Sequence, residues 1–233
     1  MRFFDFIIAC IGILILSHLF VIIAIMVKLS SPGIIIYSQE RVGLNDRRFR
    51  LYKFRSMLIN ADRIGTSVTT SNDPRITKIG RFLRKIKLDE LPQLWNVLKG
   101  DMSFVGPRPD VPEIVNKYSS EMKRILSIRP GITSNATLYL RHEEELLAMA
   151  NDPDRAYEDI FVPAKVKLAM EHVNRKSFFF DFSILLQTVW ALTGGKLLPI
   201  EEHPIINEIK QSIEKMNGIT ENPLKKQKGS HLK

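Results

Sequence analysis

The chain has 233 residues, 45% of them apolar, enough for one domain or for one domain with an anchor. Its formal charge of +9 suits phosphorylated substrates, anionic lipid headgroups or nucleic acid, and composition alone does not choose among them. The single cysteine, Cys10, excludes a disulfide framework within one chain, and the sequence carries no P-loop, no GxGxxG and no Cys/His metal spacing.

Residues 6–27 contain no Asp, Glu, Lys or Arg. About 20 apolar residues match the hydrocarbon thickness of a bilayer. A cleaved signal peptide fits less well, because one basic residue precedes the segment and no small-residue cleavage site follows it. Lys28, Arg41, Arg47, Arg48, Arg50 and Lys53 come next and favour a cytoplasmic location for everything after Lys28. Ser17 and His18 lie mid-segment, where polar groups are costly. Two readings stay open here. In one, the helix spans the membrane and Ser17 bonds back to its own backbone. In the other, the helix breaks at Ser17-His18 and returns the chain to the side it entered.

Ser30, Ser31, Pro32 and Gly33 close this segment with a turn. The β-branched run at 34–38, the turn residues at 43–46 and the alternation over 48–57 predict a β-hairpin. Residues 61–74 are polar and read as a loop. Ile79, Phe82, Leu83 and Ile86 recur at helical spacing among Lys78, Arg81, Arg84, Lys85 and Lys87. Such a basic amphipathic helix presents a solvated face or lies on an anionic membrane surface. Leu91, Leu94, Trp95 and Leu98 form a second stripe, and Pro92 between the two predicts a helix break at Asp89 and Glu90. Further helices are expected over 111–128, 141–150 and 161–174, with a rigid turn at 129–133. Residues 178–192 are apolar but short for a span, so interfacial packing or core is expected. The basic end, 225–233, reads as disordered.

The most informative stretch is 87–109, KLDELPQLWNVLKGDMSFVGPRP. It sets two adjacent carboxylates, Asp89 and Glu90, between a basic segment and a loop whose prolines fix the backbone on both sides of Arg108. A carboxylate pair ringed by fixed positive charge suits a site that handles phosphate and a divalent metal. Arginine adds planar, bidentate phosphate contacts.

This stretch, together with YKFR at 52–55, resembles the bacterial sugar transferases, the small monotopic phosphoglycosyl transferases. The resemblance implies transfer of a sugar phosphate from a nucleotide sugar, expected to be UDP-linked, to undecaprenyl phosphate, starting a capsule, exopolysaccharide, O-antigen or glycoprotein glycan. It implies that Asp89 attacks the β-phosphate and carries a phosphosugar-aspartyl intermediate, and that Glu90 binds Mg²⁺. Arg84 also matches the family pattern and Arg141 stands where the family carries a phosphate-binding arginine; with Arg108 of the Pro-Arg-Pro loop they are the expected phosphate contacts, and Lys53 is a weaker candidate. Residues 134–140, SNATLYL, depart from the commonest Gly-Trp-Ala-Gln version, which leaves the sugar and the role of Arg141 open. The family bends a re-entrant membrane helix at a Ser-Pro pair; here Ser17 matches and His18 stands in place of the proline.

The expected fold is therefore α+β and mostly helical: an N-terminal re-entrant membrane helix over 1–29, a catalytic domain over 30–195 with amphipathic interfacial helices and a small β-hairpin, and a C-terminal extension over 196–233. The expected location is the cytoplasmic face of the bacterial inner membrane. Expected partners are the nucleotide sugar, undecaprenyl phosphate and membrane lipid, not nucleic acid, with a homodimer as the oligomer to test. The rival reading is a non-enzymatic, membrane-anchored basic module that binds anionic lipid or nucleic acid. It accounts for the charge and the anchor but not for Asp89-Glu90 or the Pro-Arg-Pro loop. It also lacks the clustered aromatics of a single-strand binder.

Overall fold

The structure is a computed structural model that describes residues 2–61, 69, 70, 73–192 and 203–220. It is α+β and mostly helical, as the sequence predicts. Helix α1, Arg2–Ser30, is long and apolar enough to cross a membrane. Both of its ends rest on the same body. Near the start, Arg2 donates to the carbonyls of Val97 (2.5 Å) and Leu98 (2.8 Å), and Asp5 accepts from Ser103 Oγ at 2.8 Å. Near the end, Ile23 and Val27 pack with Phe54 and Leu83. The helix runs uninterrupted through Ser17 and His18, so the break expected there is not found. Ser17 Oγ donates back to the Leu14 carbonyl at 2.8 Å. Histidine keeps the backbone N–H that proline lacks, so nothing in the sequence removes a rung of the ladder.

The hairpin is present as β1, Ile36–Val42, and β2, Arg48–Phe54, paired antiparallel from Ile36↔Phe54 to Val42↔Arg48. Asn45 and Asp46 adopt positive φ (54° and 62°) to close it, a conformation those short polar side chains tolerate. The loop expected over 61–74 lies largely outside the described residues. Helix α2, Lys78–Lys85, starts at Thr77, whose hydroxyl accepts from Gly80 N–H at 2.9 Å. It buries Leu83 and leaves Phe82 exposed. A left-handed Lys87 (φ 58°) then ends it, and one 3₁₀ turn, Leu88–Glu90, leads through Pro92 into α3, Gln93–Lys99. The predicted break falls at the carboxylate pair.

Two further expectations need correction. The single helix expected over 111–128 is a short α4, Pro112–Val115, followed by a 3₁₀ segment, Met122–Ser127. Val115, Tyr118 and Ile125 still bury together, so the apolar pattern was real, but the chain tightens into a turn after Val115, where Tyr118 N–H donates to the Val115 carbonyl at 3.0 Å and the Tyr118 hydroxyl to Asp110 at 2.6 Å. The turn expected at 129–133 contains strand β4, Gly131–Thr133, which pairs in parallel with β3, Ser103–Val105. Three-residue strands are too short to carry a periodic signal.

The rest is helical: α5 (Asn135–Tyr139), α6 (Glu143–Leu147), α7 (Pro153–Ala156), a π-helical turn (Tyr157–Phe161) and α8 (Val162–Arg175). Helix α9, Phe178–Leu192, leaves Phe179, Leu186 and Trp190 exposed and buries Asp181 beside His172 of α8. An edge contact between Phe4 and Phe178 joins α1 to α9. The segment read as an extension supplies α10, Pro204–Thr220. Its Ile205, Ile209 and Ile213 pack into the core with Leu147, Ala156, Phe161 and Leu168. The disorder expected for 225–233 lies outside the described residues.

Candidate active site

The site gathers where three local devices meet. The first is the break after α2, which turns Asp89 and Glu90 inward; they are 4% and 9% exposed. The second is β2, which presents Lys53. Buried Asn96 of α3 fixes that strand: its Oδ1 accepts from Tyr52 N–H at 3.1 Å, and its Nδ2 donates to the Arg50 carbonyl at 2.7 Å and to Asp101 at 3.3 Å. The third is the Pro107-Arg108-Pro109 loop. Gly106 N–H donates to the Thr133 carbonyl and Gly131 N–H to the Pro107 carbonyl, each at 3.0 Å. On the other side Arg41 Nη1 donates to the Pro109 carbonyl (3.1 Å) and Val42 N–H to the Asp110 carbonyl (3.0 Å). Gly106 and Gly131 are required there, because a Cβ on Gly131 would lie 2.1 Å from the Gly106 nitrogen.

Glu90 is the electrostatic centre. Its Oε1 accepts from Arg108 Nη2 at 2.6 Å and Lys53 Nζ at 3.0 Å, while Oε2 takes only a longer bond, 3.4 Å, from Arg108 Nη1. Burial opposes ionisation, but Arg108 and Lys53 outweigh it and hold the Glu90 carboxyl well below the usual carboxylate range. Asp89 differs. Its Oδ1 is buried without a hydrogen-bond partner. Burial raises its pKa; Lys53 pulls the other way and the charge of Glu90 pushes it further up. Two adjacent carboxyls thus have environments that drive them apart, a pattern typical of acids with different roles. Burial also lowers the Lys53 pKa, with Glu90 opposing.

The remaining expected residues lie around this cluster. Arg84 acts on Asp89 through its charge, yet its guanidinium is ion-paired with Glu144 of α6. Arg141, in the turn between α5 and α6, donates from Nε to His142 Nε2 at 2.9 Å. Asp101 serves as an acceptor for Asn96. Sequence reasoning missed a second polar layer against Arg108. Lys165 Nζ donates to Glu143 at 2.6 Å and to Tyr157 Oη at 3.3 Å, and Glu143 is close enough to raise the Arg108 pKa, after Glu90 itself. The one available cue was the acidic run at 143–145.

The acids come as a pair with spare acceptor capacity: Glu90 Oε2 has one long bond and Asp89 Oδ1 none. Among the described residues no group of three His, Cys, Asp or Glu could hold a metal. That donor set fits Mg²⁺, which keeps several waters and takes one or two carboxylates together with substrate phosphates.

Comparison with known proteins places the chain. A family model described as "Bacterial sugar transferase" matches residues 1–195. The chain is 40% identical over 209 residues to galactosyl transferase CpsE of Streptococcus agalactiae serotype III, covering 84% of this chain and 43% of that one. It is 46% identical over 132 residues to a putative undecaprenyl-phosphate N-acetylgalactosaminyl 1-phosphate transferase of Bacillus subtilis, covering 57% of this chain and 70% of the relative. It is 41% identical over 206 residues to the exopolysaccharide production protein ExoY of Sinorhizobium fredii, covering 82% and 84%. The chain therefore spans under half the length of CpsE and most of ExoY. Because the match takes in α1, the hairpin, the carboxylate pair and the arginine loop, the chain belongs to the bacterial sugar transferase family.

Proposed function

We propose that this protein transfers a sugar phosphate from a UDP-linked sugar to undecaprenyl phosphate by way of a phosphosugar-aspartyl intermediate on Asp89. The observation that carries the reading is the pairing of a buried carboxylate oxygen that has no partner, on Asp89, with a neighbouring carboxylate held ionised by Lys53 and Arg108. An oxygen without a hydrogen bond is available to attack. Fixed cations beside it meet charge that would otherwise repel an anionic nucleophile from a diphosphate.

In the first step an Asp89 carboxylate oxygen forms a bond to the β-phosphorus, the bond to the bridging oxygen breaks, and UMP leaves with the electron pair. In the second, a phosphate oxygen of undecaprenyl phosphate forms a bond to the same phosphorus. The acyl phosphate bond breaks, Asp89 is regenerated, and the product is an undecaprenyl diphosphate sugar. Arg108 and Lys53 orient and neutralise the diphosphate, with Arg84 a further cation acting on Asp89. Glu90 would hold Mg²⁺, which supplies further neutralisation of the diphosphate when bound.

The apolar surface of α1 supports a membrane location. Exposed Ile7, Ile11, Leu14, Ile22 and Ile25 form its outer side, while both ends pack on the catalytic body. An unbroken helix packed at both ends on one domain does not dip in and turn back; it supports a placement along the membrane face, with both of its termini on the domain's side of the bilayer. The catalytic body then lies at the cytoplasmic face, where UDP-sugars are found.

A panel of UDP-sugars with undecaprenyl phosphate, read by UMP release, tests the reaction. Intact mass tests the intermediate, with a sugar phosphate adduct expected on the wild type and absent from an Asp89→Asn variant. UMP release without any adduct on rapid quenching would overturn the covalent route.

A further inference from the structure

The first turn of α6 supplies counter-charge to the cations of the site. Glu144 pairs with Arg84. Glu143 accepts from Lys165 at 2.6 Å and acts on Arg108. Glu145 lies 3.2 Å from His142 Nδ1, and the other ring nitrogen of His142 accepts from Arg141. Of these contacts, the Glu144 pair alone puts a carboxylate directly on an arginine assigned to substrate phosphate.

That pair differs from the one at Glu90. The Glu90 side chain is 10% exposed and takes bonds from two cations, so it is a built-in part of the site. Arg84 and Glu144 are 22% and 39% exposed and join through one donor and one acceptor. Partly exposed, single-contact pairs are weak and exchange readily. Arg84 is also near enough to act on Asp89, so a phosphate seated over Asp89 meets a guanidinium that already carries a carboxylate. Two anions on that guanidinium repel each other.

The backbone of α6 is held while this side chain is not. Leu146 and Leu147 are buried in the main core. Just beyond the helix, Asn217 of α10 donates to the Met149 carbonyl at 2.9 Å and accepts from Asn151 N–H at 3.0 Å. Exchange at Arg84 therefore needs only a swing of the Glu144 side chain into solvent.

We propose that Glu144 is an internal stand-in for substrate phosphate: it occupies Arg84 in the empty site, and the nucleotide diphosphate displaces it. Glu144 thereby sets the affinity for the nucleotide sugar and takes no part in bond making. The inference rests on the phosphotransfer reading given above.

The test uses the full-length protein in nanodiscs with Mg²⁺ present. UDP binding by calorimetry and the KM for the UDP-sugar by UMP release are compared for wild type, Glu144→Gln, Arg84→Gln and the double variant. Glu144→Gln is expected to tighten UDP binding and lower KM by about two- to five-fold, the size of a partly exposed ion pair, with kcat retained. The gain is expected to vanish in the Arg84→Gln background, since a double-mutant cycle isolates the pair. It is also expected to shrink at high salt. Weaker or unchanged UDP binding in Glu144→Gln overturns the inference, and so does an equal gain without Arg84. Wild-type protein that neither binds UDP nor releases UMP from any UDP-sugar overturns the phosphotransfer reading and this inference with it. Wild-type turnover beside an unimproved Glu144→Gln overturns the inference alone.

Discussion

Replacing Asp89 by Asn is expected to stop turnover and to raise thermal stability at the same time. Asp89 is 4% exposed and its Oδ1 has no partner. A buried polar atom left unsatisfied costs about 1–3 kcal/mol, more when charged. Asparagine keeps the volume and removes the charge; its amide stays unpartnered in the same place, so only the extra cost of burying the charge is recovered. It also forfeits the attraction of Lys53, Arg84 and Lys87 while ending the repulsion from Glu90. The balance is a net gain of about 1 kcal/mol, or about 2–4 °C in Tm for a chain of this size. The gain depends on pH with a definite sign. Burial raises the folded pKa of Asp89 above its unfolded value. The wild-type penalty is therefore absent below the unfolded value of about 3.9. It grows as pH rises between the unfolded and folded values and is constant above the latter. The Tm gap between variant and wild type should open with rising pH and close in acid. Thermal scans in detergent with EDTA, from about pH 4 to pH 8, measure the gap across that range; UMP release measures turnover. A lower Tm in the variant at neutral pH would refute the argument from burial, and near wild-type turnover would refute Asp89 as nucleophile.

Glu90→Gln should lower stability by about 1–3 kcal/mol, less than the loss of a fully buried pair because the Arg108 side chain is 37% exposed. Since the folded pKa of Glu90 is depressed, its stabilisation is present above the unfolded value of about 4.3 and is lost only as pH falls through the lower folded value; the Tm deficit should be flat near neutrality. The same variant should need more Mg²⁺ for half-maximal activity, and an unchanged Mg²⁺ titration would remove Glu90 as a ligand. Gly131→Ala would place a Cβ 2.1 Å from the Gly106 nitrogen and 2.6 Å from the Val105 carbonyl carbon, costing about 3 kcal/mol or more and displacing the Arg108 loop; a wild-type Tm would show that the two strands can part freely. A cysteine placed before Arg2, with Cys10 replaced, should react with an impermeant label from the cytoplasmic side, and labelling confined to the periplasmic side would establish a spanning α1.

What the sequence determined by itself was what nearest neighbours impose. The hairpin could be read because alternation and the Asn45-Asp46 turn act within a few residues. The break at Asp89-Glu90 could be read because Pro92 restricts the residues before it. The tertiary structure decided which charges meet. Glu90 joins Lys53 across 37 positions and Arg108 across 18, and Arg84 finds Glu144 across 60. No local pattern encodes such distances; they follow from how the elements pack. The parallel β3–β4 pair that aims Arg108 was hidden for the same reason, since three-residue strands have meaning only when their partner is in place. The opposite pKa shifts of Asp89 and Glu90 belong to the fold as well. The two carboxyls are neighbours in sequence, and only the packing around them gives one a partnerless buried oxygen and the other two cations.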